Sequence, residues 1–149
     1  MHALRYASLV LAGLLTGSEL TSRLIVHPAL WQLPHEAQVM AEKLIYRRFA
    51  SIDPFLMTAT VIACFATAAA EHGDAATLTF AAGGCFAAML AITLVLNMPI
   101  NLAVFRWDEQ HGDPERWRRL RRRWDRIHTA RIILDSSGFA LIAAAVIWH

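Results

Sequence analysis

The sequence predicts an all-α integral membrane protein, an antiparallel four-helix bundle that forms one domain over residues 1–149. The composition is 56% hydrophobic and only 17% charged, and the mean hydropathy is +0.39. Residues 75–105 carry no charged side chain, and this stretch is longer than the roughly 20 residues that span a bilayer. Three further apolar stretches cover residues 4–30, 54–70 and 132–148. Four membrane helices account for all four stretches.

The first helix is expected at about residues 3–30, although it carries Arg5, Glu19, Arg23 and His27. A cleaved signal peptide would need a short apolar core followed by a small-residue cleavage site. The apolar stretch instead runs on into "TGSELTSRLIVHPAL" with no such site. We therefore interpret this segment as a membrane helix.

A separate amphipathic helix is expected at about residues 35–51, between the first two membrane helices. Its apolar side chains recur at helical spacing, and charged side chains such as Glu42 and Arg47 lie between them. This pattern is typical of a helix that lies in the membrane interface. Asp53 and Pro54 then form an N-cap and first-turn pair, which predicts that the second membrane helix starts there and covers residues 54–71.

The third and fourth helices are expected at about residues 75–106 and 114–148. The polar turn "EHGD" before the third helix predicts a tight connection with an exposed Glu71. Asp113 and Pro114 form a second N-cap pair. The apolar part of the fourth helix begins only near Ile132, so its first half is expected to extend into the cytoplasm.

Basic residues predict the orientation in an inner (cytoplasmic) membrane. The connection between the third and fourth helices is rich in arginine (Arg106, Arg116, Arg118, Arg119, Arg121, Arg122, Arg123, Arg126), whereas the "EHGD" turn contains no Lys or Arg. The positive-inside rule places the arginine-rich connection in the cytoplasm and both termini outside. Because acidic residues are interspersed and a membrane helix follows, anionic lipid headgroups are the expected partner, rather than nucleic acid.

Polar side chains on three helices are expected to meet at one depth, near the cytoplasmic end of the bundle. The first helix contributes Glu19, Arg23 and His27; the third contributes Asn97 and Asn101; the fourth contributes Trp117, Arg121, Trp124, His128, Arg131 and Asp135. The second helix offers only Thr58 and Thr60 there and is expected to be scaffold. Ionisable groups within a membrane are costly, which favours a functional site. Glu19 is expected to pair with an arginine, preferably Arg131 across the bundle and otherwise Arg23.

A metal site is the alternative interpretation of these polar residues. Its ligands would be Glu19, His27, His128 and Asp135. No HxxxH or ExxH pair lies on one helix, and Arg23 and Arg131 would repel a cation. The spacing therefore gives only a weak indication of a metal.

Three segments resemble the anthrone-oxygenase-like family of small four-helix membrane proteins: "GSELTSRLIVHPAL", "LNMPIN" and "RWDRIHTARIILD". The resemblance implies oxidation of a hydrophobic, anthrone-like aromatic polyketide. Carried over to this chain, it points to Asn97, Asn101, Trp124, His128, Arg131 and, by a weaker match, His27.

The expected chemistry is proton removal from the acidic CH₂ of the substrate, followed by reaction of the enolate with O₂ without a required cofactor. His128 or His27 would be the base, and Asn97, Asn101 and Arg131 would hold the enolate oxygen. Trp124, Glu19 and Arg23 would bind the substrate. Two other functions stay open, a metal- or haem-dependent oxidoreductase that uses His27 and His128, and a non-enzymatic lipid- or quinone-binding protein. The sequence also leaves open whether the chain forms a homo-oligomer.

Overall fold

A computed structural model describes residues 2–108 and 110–147 and shows four long helices. They are α1 (His2–Leu30), α2 (His35–Ala70), α3 (Gly73–Phe105) and α4 (Pro114–Ile147), and each is long and apolar enough to cross a membrane. Helices α1 and α3 each pack against both α2 and α4, so helices that are consecutive in sequence are neighbours in the bundle. The all-α, four-helix membrane fold expected from the sequence is confirmed.

Helices α1 and α3 each contain one wide π-helical turn, over Ser22–Val26 and Thr93–Asn97. Each turn ends just before a proline, Pro28 or Pro99. A proline inside a helix lacks an N–H donor, and its ring clashes with the carbonyl four residues earlier. The π turn accommodates this clash: the His27 N–H bonds to the Ser22 carbonyl, five residues back. Both helices therefore continue through their prolines.

The segment expected to form a separate amphipathic helix is instead the first part of α2. Helix α2 runs for 36 residues without interruption, with Pro54 inside it. Its Val39 and Tyr46 are buried in one apolar cluster with Trp117 and Trp124 of α4. Because protein, and not lipid headgroups, covers this face, the segment stays in line with the membrane helix. Asp53 is consequently within the helix and does not cap it.

The turn between α2 and α3 is tight, as expected, but Glu71 is not exposed. Gly73 adopts a positive φ of 67°, a conformation that glycine reaches without steric cost. The Glu71 side chain is buried, pairs with Arg5 of α1, and accepts a 2.7 Å hydrogen bond from Thr79 of α3. The expectation of an exposed Glu71 is therefore wrong, because this carboxylate closes its end of the bundle.

Two apolar clusters form the core and leave a polar layer between them. The cluster nearer the α2–α3 turn includes Leu15, Met57 and Phe86, and the other includes Tyr46 and Trp124. At the far end of the bundle the expected cap of α4 is confirmed, because Asp113 Oδ1 accepts a 2.9 Å hydrogen bond from the Glu115 N–H.

Candidate active site

A cavity of about 110 Å³ lies in the polar layer between the two apolar clusters, and all four helices line it. Its polar lining includes Glu19, Asp53, Asn101, His128 and Arg131, and its apolar lining includes Phe49, Met57, Met98, Phe105 and Trp124. The lining residues of α1 and α4 are buried, whereas most of those from α2 and α3 are partly exposed. The cavity therefore opens sideways between α2 and α3, toward the surface that faces lipid in a membrane.

A buried ion pair joins α1 to α4 at the inner wall of the cavity. Arg131 donates to Glu19 Oε1, and the other carboxylate oxygen, Oε2, lies 3.2 Å from Nδ1 of His128. Of the two arginines considered for Glu19, the structure selects Arg131, the preferred one. Removing either partner of such a pair would leave an uncompensated buried charge.

His128 has one charged neighbour, the Glu19 carboxylate, whose Oε2 lies 3.2 Å from Nδ1 without the alignment of a hydrogen bond. Both ring nitrogens are buried and neither has a hydrogen-bond partner within the described part of the chain, and the residue lines the cavity. A carboxylate beside Nδ1 favours the tautomer that carries its proton there. This arrangement leaves the Nε2 lone pair available to accept a proton.

Asn101 is oriented by Trp124. Its side-chain oxygen accepts a 2.9 Å hydrogen bond from the indole N–H. Because an indole nitrogen only donates, the atom of Asn101 that faces it must be the amide oxygen. The NH₂ group of Asn101 can therefore donate to another partner. Asn101 and Trp124 both line the cavity, so one wall combines a flat ring with an amide donor.

Asn97 lies elsewhere. Its side chain is fully buried, at 0% exposure, and it is not among the residues that line the cavity. Neither of its amide atoms has a hydrogen-bond partner among residues 2–108 and 110–147. The structure therefore places Asn101 alone of the two asparagines at the cavity.

The remaining residues predicted for the site are behind the cavity or beside it. The His27 ring lies 4.5 Å from the Trp124 ring, centroid to centroid, and its Nδ1 is 3.3 Å from an Arg121 nitrogen. Because a guanidinium only donates, Nδ1 of His27 is the acceptor in this contact, and its lone pair is already engaged. Arg23 is half-buried and Asp135 is buried, and neither lines the cavity.

Helix α2, expected to be scaffold, contributes polar residues that the sequence interpretation missed. Asp53 and Tyr46 line the cavity, and Glu42 pairs with Arg121 of α4 at 2.7 Å. The signal was the spacing of Gln38, Glu42, Tyr46 and Asp53, which places them on one face of a continuous helix. A helix of residues 35–51 that lies in the membrane interface would turn this face away from the bundle, and the face was therefore not expected to contribute to the site.

Arg121 links this second polar group to the cavity wall. It is fully buried, and its guanidinium carbon lies 4.6 Å from the centroid of the Trp124 ring. The same group lies 5.2 Å from the centroid of the Tyr46 ring. The Glu42–Arg121 pair therefore holds Trp124, and through it Asn101, in position.

The four side chains proposed as metal ligands do not converge. The rings of His27 and His128 are 5.6 Å apart between centroids, Arg131 occupies Glu19, and Asp135 is outside the cavity. In the part of the chain that the structure describes, no group of three or more His, Cys, Asp or Glu side chains is arranged to hold a metal ion. The donor set that the sequence suggested does not fit a metal.

Comparison with known proteins identifies one family. Residues 43–141 match the family described as Anthrone oxygenase. The match covers the cavity residues of α2, α3 and α4, whereas Glu19 of α1 lies outside it. No curated protein and no solved structure matches the chain. Because the matched region spans well over half of the sequence, the chain belongs to the anthrone oxygenase family.

Proposed function

We propose that the protein is a membrane oxygenase that oxidises the activated methylene of a hydrophobic, anthrone-type substrate with O₂. Membership of the family supports an oxygenase. The observation that carries the mechanism is the buried Nε2 of His128, which has no hydrogen-bond partner among the described residues, at a cavity that opens toward lipid. We further propose that the reaction needs no bound metal ion, since the donor set does not fit one.

The first step is proton transfer from the CH₂ group between two aryl rings to Nε2 of His128. The electron pair of that C–H bond moves to the ketone oxygen across the ring and forms an enolate. Glu19, beside Nδ1, stabilises the imidazolium that results. The Asn101 NH₂ group and Arg131, on the same cavity, stabilise the developing oxyanion.

The second step uses the substrate itself as the reductant. The enolate gives one electron to O₂, and the two radicals combine at the former methylene carbon to form a peroxide anion. This anion takes the proton back from Nε2 of His128 and becomes a hydroperoxide. Loss of water from the hydroperoxide leaves a second carbonyl group. The sum is anthrone plus O₂ giving anthraquinone plus water, so atoms and electrons balance without another reductant.

The cavity size supports insertion of one ring from the membrane. Its volume of about 110 Å³ is close to the roughly 150 Å³ of an engineered cavity that holds benzene. We infer that one outer ring enters the cavity against Trp124, with the central, reacting ring at the polar lining and the other outer ring in the lateral opening between α2 and α3. A hydrophobic substrate dissolved in the bilayer reaches that opening directly.

The test is turnover of anthrone by the purified protein under oxygen, measured as anthraquinone formed and O₂ consumed in equal amounts. The matched control is His128→Gln, which keeps the size and polarity of the side chain but removes its basicity. We expect the control to react no faster than anthrone in protein-free membranes. Equal rates for the two proteins would exclude the proposed base. Metal or haem in stoichiometric amount, by elemental analysis and absorption spectroscopy, would overturn the cofactor-free mechanism.

A further inference from the structure

We propose that an open groove between α3 and α4, separate from the cavity, binds the headgroup of an anionic phospholipid. The groove has a volume of about 680 Å³ and is lined by Leu96, Arg119, Arg122, Arg123, Arg126 and Ile127. We call it the arginine groove. The site is independent of the proposed oxygenase function, because none of its residues lines the cavity.

The four arginines of the groove lie on one face of α4. Positions 119, 122, 123 and 126 follow the i, i+3, i+4, i+7 spacing of a single helical face, and all four side chains are exposed. The opposite face of the same segment carries Trp117, Arg121 and Trp124, which are buried. The helix therefore directs one set of side chains into the protein and presents four guanidinium groups outward.

These arginines lack the carboxylate partners that other arginines of the segment have. Arg118 pairs with Glu115 at 2.6 Å, and Arg121 pairs with Glu42. Arg119 has only a 3.8 Å contact with Asp113. For Arg122, Arg123 and Arg126, the described residues provide no carboxylate within ion-pair distance. Among the described residues their charge therefore has no counterion, and a phosphate group offers oxygens in the geometry that guanidinium groups bind best.

The depth of the groove favours a phospholipid over a soluble anion. Arg126 precedes the apolar part of α4 at Ile132 by about 9 Å, at 1.5 Å per residue. The headgroup layer adds about 5–7 Å on each side of the hydrocarbon core. Arg126 therefore lies near headgroup level, and Leu96 and Ile127 form the apolar border of the groove.

The experiment counts the lipids that stay bound to the intact chain. The full-length protein is taken from bilayers of mixed phosphatidylcholine and phosphatidylglycerol, freed of excess lipid, and weighed by native mass spectrometry. We expect wild type to retain one phosphatidylglycerol. Since each surface arginine contributes about fivefold, Arg122→Gln with Arg126→Gln should lower retention about 25-fold. The matched control, Arg47→Gln with Arg48→Gln, removes the same charge outside the groove and should change retention by at most about twofold.

Three outcomes would overturn the proposal. Equal losses in the two double variants would indicate general attraction to an anionic surface, and equal retention of phosphatidylcholine would show that charge is not recognised. Displacement of the lipid by inorganic phosphate at matched ionic strength would assign the groove to a soluble anion. If the groove variant does not fold, Arg123→Gln alone carries the test, with an expected loss of about fivefold.

Discussion

At the scale of single residues, the cavity is built from side chains of different helices that lie at one depth in the bundle. Asn101, Trp124, His128, Arg131 and Glu19 were predicted for the site and line the cavity. Depth follows from counting residues along a membrane helix, because each adds about 1.5 Å.

Arg23, His27 and Asn97 were also predicted for the site, but they lie off the cavity because of the π turns. Each π turn inserts about one extra residue, and one residue rotates a helix by about 100°. Side chains that flank the turn at Ser22–Val26 or Thr93–Asn97 therefore do not share the face that regular spacing predicts. Asn97 is the last residue of its turn, whereas Asn101 lies in the regular helix that follows.

The two asparagines should respond differently to the same substitution. Asn101→Leu removes the amide donor at the cavity, and loss of one oxyanion donor lowers kcat about 100- to 1000-fold in comparable sites. Asn97→Leu replaces a buried carboxamide whose atoms have no partner among the described residues, so turnover should stay near wild type. Anthraquinone formation by both folded variants checks this. Similar losses in the two variants would mean that Asn97 also serves the reaction.

Stability should depend on the buried carboxylates of Glu19 and Glu71 and not on an exposed one. Removing one partner of a buried ion pair costs about 3–5 kcal/mol. Glu19→Ala and Glu71→Ala each break such a pair, whereas Glu36→Ala changes an exposed side chain. Denaturant titration of the three variants should show large losses in unfolding free energy for the first two only. A Glu71→Ala protein as stable as Glu36→Ala would contradict the buried position of Glu71.

At the scale of helices, the four apolar stretches of the sequence correctly predicted the four membrane helices. The predicted helix boundary at Asp53 and Pro54 was wrong. Asp53 followed by Pro54 is a strong N-cap signal in isolation. Here the helix passes through the pair, because Val39, Glu42 and Tyr46 pack against the extension of α4. That partner surface is formed by a segment about 80 residues later, so local sequence could not reveal it.

Pro99 should control the orientation of Asn101. Pro99→Ala restores an N–H donor and lets the wide turn at Thr93–Asn97 close to a regular one, which would rotate the following residues by about 100°. We expect turnover to fall as in Asn101→Leu, and the unfolding free energy to fall as well, because the same rotation would move the buried Ile100 and Val104 out of their apolar cluster. Unchanged turnover would show that the Trp124–Asn101 contact alone fixes the amide.

At the scale of the whole molecule, α2 and α4 are longer than a membrane requires. Helix α2 has 36 residues and is therefore about 54 Å long at 1.5 Å per residue, against about 30 Å of hydrocarbon. The surplus of α2 and that of α4 lie at the same end, where Glu42 and Arg121 join them. The two helices therefore extend the bundle beyond the hydrocarbon core as a paired projection.

The charge distribution predicts that this projection lies in the cytoplasm, and cysteine labelling can test that prediction. The chain has two cysteines, Cys64 and Cys85, so replacing both by alanine gives a background without thiols. We expect a cysteine at Met40 or Arg118, both exposed, to react with a membrane-impermeant maleimide in inverted vesicles and not in intact cells whose outer membrane has been permeabilised. A cysteine at His72, in the α2–α3 turn, should show the opposite pattern. Labelling of Arg118→Cys in the intact cells would contradict the predicted orientation. The positive-inside rule would then not describe how this chain inserts.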